Sequence, residues 1–221
     1  MNAALEIRRP RAQQRLLLPP ASKGWLLAVE GPIGVGKTTL AQRLAARFDA
    51  RLLLEVVEDN PFLQTFYQDM RGRAFQTQMF FLLSRHRQQQ SIRSYLAEGR
   101  PVVADYMFAK DRLFAELTLD ENELSLYRNV YDLIAPLVPP PDALVYLRAP
   151  VQTLIQRIAA RGRPFERALA PDYLARLSEA YEAFFEQFDT APVVIVDTAR
   201  LDPRGDAGLD VIAHAVAEAR R

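Results

Sequence analysis

The sequence predicts an α/β fold built on a five-stranded parallel sheet with helices on both faces, and three observations carry that prediction. Five mostly apolar segments lack any clear polar–apolar alternation, as strands covered on both faces do. Helix-forming stretches separate them, which calls for right-handed crossovers between parallel neighbours. A glycine-rich run, Gly31-Pro32-Ile33-Gly34-Val35-Gly36-Lys37-Thr38, directly follows the first segment and leads into a helix.

Taken in order, the strands are Trp25–Glu30, Ala50–Val57, Pro101–Asp105, Asp142–Leu147 and Pro192–Asp197. The first helix covers Leu40 to Phe48. Asn60-Pro61 reads as an N-cap followed by proline at the first helical position. Phe75 to Leu96 makes a long helix that is apolar on every side at Met79-Phe80-Phe81-Leu82-Leu83, so it is buried or shared with another subunit. Val151 to Arg161 stops at Gly162, a C′ glycine. Leu174 to Phe188 has apolar residues at helical spacing, and Val211 to Ala219 closes the chain.

At 221 residues the chain suits one α/β domain, placed at 23–221. Residues 1–22 are set apart as a flexible tail, where Arg8, Arg9, Arg11 and Arg15 stand against Glu6 alone. An arginine-rich leader is the other reading of that stretch. The net charge of +1 implies neither nucleic acid nor an anionic membrane as partner. No apolar run approaches the roughly 20 residues that span a bilayer. The absence of cysteine excludes disulfides, thiolate catalysis and Cys-ligated zinc, and fits a reducing cytoplasm.

The glycine-rich run matches the phosphate-binding loop pattern in the strand–loop–helix setting that pattern requires. Its backbone N–H groups, with Thr39 after them, face one phosphate at the positive end of the helix. Lys37 reaches the β- and γ-phosphates, and the Thr38 hydroxyl completes a Mg²⁺ site. The chain is therefore expected to bind a nucleoside triphosphate. It contains no Asp-x-x-Gly switch or Asn-Lys-x-Asp guanine reader in a suitable place, which argues against a GTPase.

Ligands in such sheets gather at the strands' carboxyl ends, where Glu30, Glu55, Asp105 and Asp197 fall. Glu55 is the candidate base for an alcohol acceptor, with Glu58 and Asp59 as competitors that also suit a helix start. Asp105 is read as a Mg²⁺ holder or, alternatively, as a turn-capping acid. Arg157 and Arg161 lie one helical turn apart, and Arg163 follows the break, so three guanidinium groups could close over phosphates. A solvated basic helix face is the other reading. Gln76 is a candidate for paired hydrogen bonds with a nucleobase edge. His86 and His214 suggest no site.

These residues together resemble the deoxynucleoside kinase family, from about Trp25 to Phe188. Glu55-Val56-Val57-Glu58 is similar to the family's Glu-Pro-Val-Glu segment, and Ala74-Phe75-Gln76 to its Phe-Gln segment. Arg161-Gly162-Arg163-Pro164-Phe165-Glu166 resembles its lid, and Pro171-Asp172-Tyr173-Leu174 the stretch that follows. The resemblance implies a P-loop kinase fold with an arginine-rich lid. It implies transfer of the γ-phosphoryl of ATP, with Mg²⁺, to the 5′-hydroxyl of a deoxynucleoside in nucleotide salvage. It also implies Tyr67 and Glu166 at the sugar 3′-hydroxyl, Asp105 at the substrate, and a homodimer. One departure stands out: many members carry an arginine after the acid of the third strand, and here Asp105-Tyr106-Met107-Phe108 lacks it. Lys110 and Arg112 are the candidates to replace it. The Asp-Tyr form, with Phe-Ala-x-x-Thr-Leu at Phe114 to Leu119, is similar to bacterial deoxyguanosine kinases. It tilts the expected substrate to a purine, deoxyguanosine first and deoxyadenosine second. A thymidylate kinase-like nucleoside monophosphate kinase and a non-catalytic nucleotide-binding regulator are the competing readings.

Overall fold

A computed structural model describes residues 4–10 and 24–220. Six strands form one sheet: β1 (Leu5–Arg8), β2 (Leu26–Glu30), β3 (Arg51–Leu53), β4 (Val102–Ala104), β5 (Ala143–Arg148) and β6 (Val193–Asp197). The spatial order is β1-β6-β5-β2-β4-β3. The five predicted strands are present and mutually parallel, so the α/β architecture holds, and one strand was not expected.

That sixth strand is β1, which pairs antiparallel with β6 in the register Leu5↔Val196. Its Leu-Glu-Ile-Arg sequence alternates apolar and polar residues, and Leu5 and Ile7 pack on the core. The start of the expected tail is thus an edge strand. Arg8 donates to the Phe185 carbonyl at 2.8 Å, so part of the arginine excess serves packing. Residues 1–3 and 11–22 of the expected tail lie outside the described residues.

Eight α-helices flank the described sheet: α1 (Lys37–Arg47), α2 (Leu63–Phe66), α3 (Met70–Ala97), α4 (Lys110–Thr118), α5 (Glu121–Ile134), α6 (Val151–Arg161), α7 (Pro171–Gln187) and α8 (Asp206–Ala219). Asn60 Oδ1 accepts the Phe62 N–H at 3.0 Å, so the turn foreseen there opens the single-turn α2. The long α3 starts instead at Asp69, whose side chain accepts from Gly72 N. A capping box of Asp120 and Glu123 starts α5. Gly162 ends α6 in the left-handed region, φ +70°, as its glycine predicts.

Every residue of β2 and β4 is buried, and β5 nearly so, with Tyr146 of β5 stacked on Tyr181 and Phe185. Each such apolar side chain contributes about 1.5–3 kcal/mol on burial. This rigid centre fixes the strand ends, and the site is built on those ends. The apolar stretch of α3 is only partly covered: Phe81 and Leu82 are buried, while Leu83 is 46% exposed. On α5, Leu126 and Leu133 are exposed as well.

Candidate active site

The loop between β2 and α1 turns on glycines that no other residue replaces without strain. Gly31 has φ +145°, and a Cβ there would collide with the Leu147 carbonyl oxygen of β5. Gly34, at φ +84°, faces Ile158 of α6, whose Cγ1 would sit 2.7 Å from a Cβ. The loop therefore packs directly on two neighbouring elements, and its N–H groups meet the N-terminus of α1. Lys37, the first residue of that helix, donates to the carbonyls of Gly31 at 2.7 Å and Pro32 at 3.2 Å.

One carboxylate joins the loop to the far side of the cleft. Asp105 follows β4; its Oδ2 accepts the Thr38 hydroxyl at 2.7 Å, and its Oδ1 accepts the Glu55 N–H at 2.7 Å. Sheet order makes this bridge possible, because β4 lies between β2 and β3. Lys37, Thr38, Glu55 and Asp105 consequently line a single cavity of about 240 Å³.

Two cations hold the Glu55 side chain. Lys110 Nζ donates to its Oε2 at 2.6 Å, and Arg85 Nε to its Oε1 at 3.0 Å, with a second Arg85 nitrogen on the same oxygen. Burial works against ionisation of Glu55, but the charges of Arg85 and Lys110 outweigh it and hold the carboxyl well below the usual range. Arg85 is itself nearly inaccessible and forms a second ion pair with the fully buried Asp111 of α4. Of the two candidates to replace the missing arginine, Lys110 therefore reaches Glu55. Arg112 pairs with Glu116 on the exposed face of α4. Arg85 was not anticipated at all.

The mouth is formed by the segment after α6. Arg161 donates to both oxygens of Glu166, at 3.2 and 2.5 Å, and Arg163 pairs with Glu58 at 3.2 Å across the cavity. Arg161, Arg163, Glu166, Glu58 and Tyr67 all line the cavity. Burial, with Tyr173 and Glu166 adding to it, raises the Tyr67 hydroxyl well above its ordinary pKa, so it stays a neutral donor. Arg157 does not join the cluster. It donates to the Val35 carbonyl at 3.3 Å and to Thr198 Oγ1 at 2.8 Å, which anchors α6 to the back of the loop. There it lines a smaller recess of about 100 Å³ with Thr39 and Arg204.

Gln76 is also elsewhere: its amide donates to the Gly72 carbonyl of its own helix at 2.9 Å, and it does not line the cavity. Gln78 does, and it is buried. Two positions along a helix turn a side chain by about 200°. The face that enters the cavity carries Gln78, Phe81 and Arg85, spaced three and then four residues apart. That spacing was present in the sequence and could have selected Gln78. Of the other strand-end acids, Glu30 is fully buried, accepting from the Gly31 and Met107 N–H groups and the Tyr181 hydroxyl. Asp197 caps the turn after β6 by accepting from Ala199 N at 3.0 Å. Neither lines the cavity.

A divalent cation would find one hydroxyl and one carboxylate here, Thr38 and Asp105. Among the described residues no group of three or more acidic, His or Cys side chains could cage a metal ion. That sparse oxygen set fits Mg²⁺, which keeps several waters and takes further ligands from substrate phosphates.

Burial lowers Lys37 to about 8, helped by the nearby Lys110 charge and opposed by Glu30, Glu55 and Asp105. In the free enzyme, kcat/KM for a triphosphate should thus fall as pH rises past about 8. A polyphosphate in the loop restores the cation, so the corresponding limb of kcat is expected at higher pH. Stability runs the other way, because the folded value lies below 10.5: the fold gains as pH climbs from about 8 toward 10.5. Parallel pH profiles of kcat and kcat/KM check this. Coincident limbs would remove Lys37 from the phosphate site.

The deoxynucleoside kinase family model matches residues 27–217. A deoxyguanosine kinase of Bacillus subtilis is 42% identical over 166 residues, covering 75% of this chain and 80% of that protein. A deoxyadenosine/deoxycytidine kinase of the same organism is 31% identical, covering 78% of this chain and 82% of that one. Among solved structures, a deoxyadenosine kinase from M. mycoides with the products dCMP and a flexible dCDP bound superposes with a TM-score of 0.78. It is 25% identical, and the match covers 87% of this chain and 99% of that one. With a phosphate loop, a strand-end carboxylate and a lid sharing one cavity, the chain belongs to the deoxynucleoside kinase family.

Proposed function

We propose that this kinase transfers the γ-phosphoryl of ATP to the 5′-hydroxyl of a purine deoxynucleoside, deoxyguanosine ahead of deoxyadenosine, as a step of nucleotide salvage in the cytoplasm. One observation carries the reading: the Glu55 carboxylate, kept ionised by Arg85 and Lys110, opens on the same cavity as Lys37. A proton acceptor and a triphosphate cradle then flank one space.

In this reading Glu55 takes the 5′-hydroxyl proton as that oxygen bonds to the γ-phosphorus and the bond to the β-phosphate oxygen breaks. The loop N–H groups and Lys37 stabilise charge on the transferring group, and Arg161 and Arg163 approach it from the lid. Arg157 and Thr39 border the recess on the loop's outer side, where the donor's nucleoside would extend. Thr38 and Asp105 would hold Mg²⁺, which would supply charge neutralisation on the phosphates. Tyr67 donates to the sugar 3′-hydroxyl. Glu166 accepts from it, because a carboxylate engaged by Arg161 retains free lone pairs. Gln78 takes the place assigned to Gln76 at the base edge. An ionised Glu55 at the acceptor end disfavours a second phosphate there, which weighs against a monophosphate acceptor.

The exposed Leu83, Leu126, Leu133 and Leu137 support a homodimer through the α3 and α5 side of the molecule. Among the described residues no helix is long and apolar enough to cross a membrane. Radiolabelled ATP offered with the four deoxynucleosides, their ribose counterparts and the monophosphates tests the proposal. Labelled dGMP is expected first and dAMP second. Label appearing only on monophosphate acceptors would overturn it.

A further inference from the structure

The amide that reads the base is held in one orientation by a residue outside the cavity. Gln78 Nε2 donates to the Thr118 hydroxyl at 3.2 Å, and the Thr118 hydroxyl donates to the Phe114 carbonyl at 2.7 Å. A hydroxyl has a single proton, and here it is committed to Phe114. Toward Gln78 the oxygen can then only accept, so the amide nitrogen must face Thr118. Reversing the amide would leave two oxygens facing each other, or would require Thr118 to abandon Phe114. Among the described residues Gln78 Oε1 receives no hydrogen bond, and its side chain lines the cavity.

We infer that Thr118 is a specificity-determining positioning residue, which fixes the Gln78 amide so that purines with a 6-amino and a 6-oxo group are told apart. The inference rests on the reading of this cavity as a purine deoxynucleoside site. Its chemistry is simple. Adenine presents a donor at position 6 beside ring acceptors at N1 and N7. Guanine presents an acceptor at position 6, a donor at N1 and an acceptor at N7. On the edge that carries position 6 and N1, exchanging the amide oxygen and nitrogen exchanges the purine that is complementary to it. An amide free to rotate would accept both. An amide held by Thr118 discriminates, and a mismatched purine leaves buried polar groups unpaired. Thr118 touches neither nucleoside nor phosphate in this arrangement; it acts through Gln78.

The experiment compares kcat/KM for deoxyguanosine and deoxyadenosine in wild type, Thr118→Val and Thr118→Ser, with purine deoxyriboside, which lacks the 6-substituent, as a third acceptor. Valine keeps the shape and removes the hydroxyl. The ratio between the two natural purines should move toward one by roughly 3- to 10-fold, the weight of one neutral hydrogen bond. KM for ATP should stay the same. Purine deoxyriboside should be affected much less, and Thr118→Ser should retain the wild-type ratio. A general packing defect would lower all three acceptors together and would not be rescued by serine. An unchanged purine ratio in Thr118→Val, or a wild type that does not distinguish the two purines, overturns the role of Thr118 while leaving the kinase reading intact. A wild type that phosphorylates no deoxynucleoside overturns both.

Discussion

Glu55→Gln should lower turnover by about 100- to 10,000-fold while leaving ATP affinity close to wild type. Glutamine preserves the side-chain length and keeps one oxygen to accept from Arg85 or Lys110, so the cavity retains its shape. What disappears is the carboxylate that both cations address. The loss should therefore fall on kcat, as expected for an interaction made with the proton in flight. The substitution has a second, separable signature. The folded Glu55 carboxyl titrates below its ordinary value of 4.5, so its ion pairs stabilise the fold above that pH and cease to do so as acid protonates it. Glu55→Gln should flatten that part of the acid-side stability curve. Steady-state kinetics with nucleotide-binding titrations and acid denaturation measure the two effects. Turnover near wild type would take the role of base away from Glu55.

Arg85→Met should produce the largest loss of stability among single substitutions at the site. The guanidinium lies between Glu55 and Asp111, with its side chain 5% exposed and that of Asp111 fully buried. Removing it leaves Asp111 as an uncompensated buried charge, a defect of about 3–5 kcal/mol. For a domain of this size that corresponds to a fall in Tm of roughly 10 °C. Adding Asp111→Leu removes the stranded carboxylate and should recover most of the loss, while activity stays low because Glu55 has lost its orienting partner. Thermal denaturation of the two single variants and the double variant closes the cycle. Additive losses in the double variant would show that the pair contributes nothing as a unit.

The distribution of these residues explains what was legible beforehand. The phosphate loop, the strand-end acids and the lid are contiguous segments, and the chemistry of each is local: glycines for curvature, a lysine for phosphate, arginines after a helix break. Lys110 was within reach as a candidate because it follows Asp105 closely. Arg85 could not be found that way. It sits on the middle of α3, thirty residues from Glu55, and only the packing of α3 beside β4 and α4 brings it to the carboxylate. Gln76 and Gln78 show a different limit. Both lie on the same helix, and the rotation of that helix about its axis decides which one enters the cavity. The face shared with Phe81 and Arg85 held that information, but a dipeptide match looks past it. Arg157 illustrates the same point, since one turn of helix separates it from Arg161 yet the two serve opposite sides of the loop. The edge strand at Leu5–Arg8 was hidden by its arginines, whose charge suggested a solvated tail although one of them caps α7.

By itself the sequence determined the α/β class, the five parallel strands, the glycine-rich loop between the first of them and its helix, and the acids near four of the strand ends. Those properties follow from residue type and short-range spacing, which the chain carries wherever it folds. Only the tertiary structure decided which groups meet: that Asp105 joins Thr38 to Glu55, that Arg85 and Lys110 share one carboxylate, and that Gln78, bonded to Thr118, lines the same cavity. The reason is physical, because burial removes the water that would otherwise satisfy each of these groups. Their partners must then be supplied by whichever helices the sheet brings within hydrogen-bond distance.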